Sequence, residues 1–281
     1  MDLSLGVTLA VLGAGLMHAG WNALIKSAGG GDALLDTASI VAGSTLCAFF
    51  AMPFLALPLA ESWPMAAASV VLHFGYYLTL AQAYRTGDLS FAYPLMRGTA
   101  PLLVTLLGVV FLGELPSPKI ALGIVLICSG IVAIAFAQRH HHPRAAVYWA
   151  LGNAAIIGVY TLIDGAGARA SGSALSYVVY LTFLEGVFFL AWLYWRRGRP
   201  AVAYVARQWR RGLLGGFCSV AAYSIVLWAM TRAPIAAVSA LRETSVLFAA
   251  IIGTVLLKEG FGVARLAGAA SVVAGVAALK L

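Results

Sequence analysis

Apolar residues run along this chain in long blocks, and polar residues gather in the short breaks between them. A membrane-spanning helix needs about 20 mostly apolar residues, because each adds about 1.5 Å across a hydrocarbon core about 30 Å thick. Ten such blocks can be placed, near 3–24, 34–58, 64–84, 89–112, 119–138, 145–167, 173–195, 211–231, 234–257 and 263–280. The breaks carry residues that stop or start helices: Gly29-Gly30-Gly31, Pro58 and Pro64, Pro116 and Pro118 beside Ser117, then Pro143, Pro200 and Pro234. Proline opens a helix without losing a hydrogen bond, since its missing N–H has no partner in the first turn. The pattern predicts an all-α polytopic membrane protein of ten helices. Its longest connection is the arginine-rich stretch around 196–210. The first block lacks a basic lead and contains His18, Trp21 and Asn22, so it reads as a retained helix rather than a targeting peptide.

Composition narrows the classes. Of 281 residues, 62% are hydrophobic and 10% charged, with a mean hydropathy of +0.94. Soluble domains are about 45–50% apolar and about 25% charged. An ordinary soluble enzyme, a disordered chain and a nucleic-acid binder are excluded. The net charge of +8 sits mainly at helix ends and in loops, where it sets topology and meets lipid headgroups. Membrane lipids, not nucleic acids, are therefore the expected surroundings. Cys47, Cys128 and Cys218 each stand alone in an apolar run, without a CxxC pair, and form no disulfide framework or zinc site. His140-His141-His142 lie beside Arg139 in a loop, and three adjacent histidines cannot all face one ion without unusual backbone. No metal and no cofactor is expected.

The chain also repeats itself. Shifted by 145 residues, Arg97 falls on Arg242, Thr99 on Thr244, Gly108 on Gly253, Leu112 on Leu257 and Glu114 on Glu259. Gly123 falls on Gly268 and Gly130 on Gly275 without a gap. Two halves follow, 1–138 and 145–281, each with five helices. Five is odd, so the second half enters the membrane the other way up. Two inverted five-helix repeats are a transporter architecture, in which the halves exchange conformations and open one site to alternate sides. Lys and Arg divide 4 against 12 between the two faces, with Arg97 and Arg242 inside the membrane. The positive-inside rule makes the richer face cytoplasmic and puts both termini outside.

The segment ending in Leu112-Gly113-Glu114, followed by a polar turn and then Gly123 and Gly130, recurs as Leu257-Lys258-Glu259 with Gly268 and Gly275. Together with the His18–Lys26 segment HAGWNALIK, it resembles the drug/metabolite transporter superfamily, EamA type, over essentially the whole chain. The second copy departs from the pattern at Lys258, where glycine is expected. The resemblance implies export or exchange of small metabolites, often amino acids, without ATP, and cytoplasmic termini, opposite to the charge count. No P-loop motif is present.

Ionisable side chains inside the membrane are costly and mark function by default. Arg97 and Arg242 each lie eight residues into a block, about 12 Å along the axis. Each is read either as half of a buried ion pair or as a dock for a substrate carboxylate, which guanidinium binds bidentately. The candidate partners and proton-coupling groups are Glu185, Glu243 and Asp164. Glu185 lies mid-helix and is the best protonatable group, with a salt bridge to an arginine as the alternative. Glu243 follows Arg242 directly, so on a continuous helix the two point about 100° apart and do not share a ligand face. Asp164, near a helix end, faces the headgroups in the plainer reading. His18, Trp21 and Asn22 share one helix face, and His73, Tyr76 and Tyr77 repeat that spacing. With Tyr160, Tyr223 and Trp228 they complete the substrate-binding set. Glu114 and Glu259 tie turns instead.

These readings converge on a secondary carrier in a bacterial-type inner membrane, monomeric, moving amino acids with apolar or aromatic bodies by alternating access. Carriers of drugs, sugars or nucleotide derivatives are the alternatives within the class. A non-transporting lipid-binding subunit is the alternative outside it. An enzyme is not expected: the HExxH of a metalloprotease is absent, and no credible nucleophile–base pair stands out.

Overall fold

The computed structural model describes residues 3–26, 32–87, 89–136, 143–248 and 263–279. Among the described residues the chain is helical, with no strand. The helices are α1 (Leu5–Lys26), α2 (Ala33–Ala51), α3 (Trp63–Thr86), α4 (Leu89–Leu112), α5 (Pro118–Phe136) and α6 (Arg144–Ala170). They continue with α7 (Ala174–Arg197), α8 (Arg199–Arg207), α9 (Trp209–Met230), α10 (Ile235–Arg242) and α11 (Val263–Ala278). Seven helical stretches among the described residues are long and apolar enough to cross a membrane. Two shorter apolar ones, Leu5–Gly20 and Leu266–Ala278, lie in the first and last blocks.

The local starts are those the sequence offers. The Asp32 carboxylate accepts from Leu34 N at 3.0 Å and Leu35 N at 3.4 Å, capping α2. Ser173 caps α7 by accepting from Ser176 N at 3.3 Å. Pro64 and Pro200 sit in the first turns of α3 and α8.

Two expectations need correction. The 196–210 stretch is not a bare connection, because it contains the nine-residue helix α8. Tyr204 on α8 donates to the Asp36 carboxylate at 2.7 Å, and Arg197 pairs with Asp32 at 3.0 Å, so the segment is fastened to α2. The bond to Asp36 holds the Tyr204 phenol protonated above its ordinary range. The ninth block is not one helix. α10 ends at Arg242, residues 243 and 244 form a turn, and helix resumes at 245, described to 248. Here the hydrogen bonds shorten from four residues to three: Glu243 N donates to Ala240 O at 3.1 Å and Thr244 N to Leu241 O at 3.2 Å.

In lipid no hydrophobic force draws helices together, so close contact depends on small residues. The motif glycines meet one another: Gly123 lies against the Gly275 carbonyl and Gly130 against that of Gly268. Ser271 Oγ donates to Leu126 O at 2.8 Å across the same α5–α11 seam. A second seam joins α2 to α9, where a methyl on Gly43 would collide with the Gly212 carbonyl and one on Gly216 with the Gly43–Ser44 backbone. The turn after α4 has Gly113 at φ +65°, and Glu114 beside it ties that turn to α6 and α10. Its carboxylate pairs with Arg169 of α6 and accepts from Ile235 N of α10 at 3.1 Å. Arg169 also donates to Met230 O at 2.8 Å and Ala233 O at 3.1 Å. Glu114 thus does the tying work the sequence suggested, while Lys258, Glu259 and the three histidines lie outside the described residues.

Candidate functional site

α10 is buried along its whole length, from Ile235 to Arg242. Its end brings Arg242 level with Arg97 of α4, and the turn at 243 places Glu243 between them. Glu243 Oε2 lies 2.5 Å from Arg97 Nε, and Glu243 Oε1 lies 3.2 Å from Arg242 Nε. Glu243 is fully buried and each arginine is 5% exposed. The turn overrides the divergence expected of neighbours on a continuous helix, so Arg242 and Glu243 are partners after all. Two cations share one anion, and the Nη2 atoms of both arginines make no hydrogen bond among the described residues. Tyr93 lies under Arg97, with 5.9 Å from its ring to the guanidinium carbon. α1 packs on the same turn: a methyl on Gly15 would meet Thr244 Oγ1 at 3.3 Å. His18, one turn along α1, lies within the electrostatic reach of both arginines. The side chains of Trp21 and Asn22 lie outside the described residues.

A second polar cluster lies across Tyr160. The Tyr160 ring stacks on His73 with centroids 4.2 Å apart, and its phenol is within the electrostatic reach of Arg242 and Arg97. Tyr76, Tyr77 and Tyr223 stand around the same imidazole at 6.3, 6.5 and 6.3 Å. His73 Nδ1 lies 3.0 Å from both the Ser69 hydroxyl and the Ser69 carbonyl, and 3.4 Å from Glu185 Oε2. Glu185 therefore faces a histidine, not an arginine. Asp164 is fully buried rather than at the headgroups. It accepts from Tyr177 at 3.1 Å and from Tyr223 at 2.5 Å.

The candidate set thus divides. Arg97, Arg242, Glu243 and His18 gather at the break; His73, Tyr76, Tyr77, Tyr160, Tyr223, Asp164 and Glu185 gather beside it. Trp228 belongs to neither. It is 36% exposed near the end of α9, with Arg232 stacked 4.9 Å from its ring. It lines a pocket of about 560 Å³ with Arg169, Ser173, Ser224 and Arg232, toward the face that carries the Glu114–Arg169 tie. The pocket and the ion cluster are different places. The pocket's wall reaches Ala168 and Ser224, next to the Asp164 and Tyr223 network. Asn153 was missed. Fully buried on α6, it donates to Tyr76 O at 3.0 Å and Thr79 Oγ1 at 2.8 Å, fixing α3 beside the site. An amide in an apolar run was a sufficient signal for it. Among the described residues no group of three or more His, Cys, Asp or Glu could hold a metal ion.

Comparison with known proteins agrees with this architecture. A solved structure, described only as a crystal structure of a protein, is similar over 97% of this chain and 96% of its own. Its TM-score is 0.75 at 18% identity, which is a likeness of fold. No curated protein sequence matches significantly. The model of the EamA-like transporter family matches twice, over residues 5–136 and 144–281. With two repeats of membrane-length helices closing around buried charge, this integral, multi-pass membrane protein belongs to the EamA-like transporter family.

Proposed function

We propose that the chain is a secondary carrier for small carboxylates, chiefly amino acids with apolar or aromatic bodies, exported across a bacterial inner membrane by alternating access. The observation that supports it is the unequal charge at the helix break. Arg97 and Arg242 bring two positive charges to the one negative charge of Glu243, and among the described residues neither Nη2 has a hydrogen-bond partner. An uncompensated buried cation is expensive. A substrate carboxylate supplies the missing charge and accepts from guanidinium in a bidentate way. The surrounding tyrosines hold an apolar or aromatic body. A drug carrier that favours cations is poorly served by this excess.

The test is counterflow of labelled L-leucine and L-phenylalanine into liposomes holding the purified protein, with and without a pH gradient. Uptake should fall by about tenfold or more in Arg97→Ala and in Arg242→Ala, each of which removes a charge-assisted contact. Both variants must elute as folded monomers. Absence of uptake of any amino acid by the unaltered protein would reject the substrate and move the search to sugars, nucleotide derivatives and drugs. Absence of flux with all of these would favour a non-transporting subunit. A response to the gradient that vanishes in Glu185→Gln would give that residue a proton-coupling role.

A further inference from the structure

The carboxylate reading uses only one of the two clusters, and the second has a chemistry of its own. Glu185 is 14% exposed at its side chain, and among the described residues its Oε2 makes no hydrogen bond. His73, 3.4 Å from Oε2, has closer partners in Ser69. Asp164 differs, because two phenols donate to it and leave it occupied. Glu185 also stands by a wall of rings: Tyr76, Tyr77, Tyr160 and Tyr223 around His73, with Phe189 4.7 Å from Tyr77. An under-bonded carboxylate beside several ring faces suits an organic ammonium, which is drawn to the anion and to the ring quadrupoles together.

We infer that Glu185 and the tyrosines around His73 form the subsite for the cationic group of the substrate, opposite the arginine subsite. This rests on the carboxylate reading above and makes the substrate a dipolar molecule. Its carboxylate meets Arg97 and Arg242, its ammonium meets Glu185, and its body lies along Tyr160 between them. The other charged and titratable groups that face Glu185 are Asp164 of α6, His73 of α3 and the phenols of Tyr77 and Tyr177, with Tyr76, Tyr160 and Tyr223 beyond them around the His73 ring. α2 presents Thr45, which packs on Gly186.

Inhibition of L-phenylalanine counterflow tests this with three unlabelled competitors: L-phenylalanine, 3-phenylpropionate, which lacks the ammonium, and phenethylamine, which lacks the carboxylate. In the unaltered protein each half-molecule should compete at least about tenfold more weakly than the whole. In Glu185→Gln the preference for phenylalanine over 3-phenylpropionate should shrink towards one, while that over phenethylamine remains. In Arg97→Ala the pattern should reverse. A merely structural Glu185 would weaken all three competitors alike, and that outcome overturns the inference. So does 3-phenylpropionate competing as well as phenylalanine in the unaltered protein, a result that needs no folded variant. Failure of phenylalanine counterflow itself would instead strike the carboxylate reading.

Discussion

Arg97 and Arg242 occupy the same register of the two repeats, yet their helices differ. α4 runs unbroken past Arg97 with Pro94 and Pro101 inside it, whereas α10 stops at Arg242. The next position explains the chemistry. In the first repeat it is Gly98, and a side chain there would meet Val132 Cγ2 at 2.9 Å and Cys128 O at 3.2 Å. In the second repeat it is Glu243, which the turn carries between the guanidiniums. Duplication supplies two cations, and only one copy can add an anion. The repeat builds the scaffold, and the departure from it places one anion between two cations.

Several changes would break or sharpen this contrast. Glu243→Gln should do most damage, because it strands two buried guanidiniums. A loss of about 3–5 kcal/mol is expected in denaturant unfolding of the detergent-solubilised protein. Gly98→Ala should cost about 1–3 kcal/mol, since α5 must give way to the methyl. A neutral result would mean that the first repeat had room for an acid and lacks one for another reason. Gly113→Ala should cost about 1–2 kcal/mol, because an L side chain pays that to hold the left-handed turn. The same denaturant unfolding of the detergent-solubilised protein measures it, and no loss would remove the need for glycine at that turn. The smallest effect concerns the connections. α7 and α9 are joined through α8, where the first repeat has only short turns. Tyr204→Phe should lose about 0.5–1.5 kcal/mol. The phenol's value is raised in the folded state, so this contribution is complete below about pH 10 and fades as pH rises through the raised value. A difference that is flat across that range would refute the bond to Asp36.

Much of the scaffold was legible in the sequence, because hydropathy and the repeated Arg97/Arg242 register report spans and symmetry directly. The helix break was not. No proline or glycine marks residues 243 and 244, and only tertiary pairing of Glu243 with Arg97 explains the turn. The same blindness sent Asp164 to the headgroups: its partners, Tyr177 and Tyr223, come from other helices. His73, Tyr76 and Tyr77 were found as one face because spacing within a helix is a local property. The relation of that face to Glu185, on α7, is not.

The α2–α9 seam has a consequence of another kind. Gly43, Gly212 and Gly216 put backbone on backbone, with Ser44 donating to Gly216 O at a long 3.4 Å. What holds them is dispersion, which a lipid tail sliding into the gap can replace. Such a joint answers to lateral pressure and acyl-chain packing rather than to ligand chemistry. The bilayer itself therefore sets part of how firmly the two helices are held.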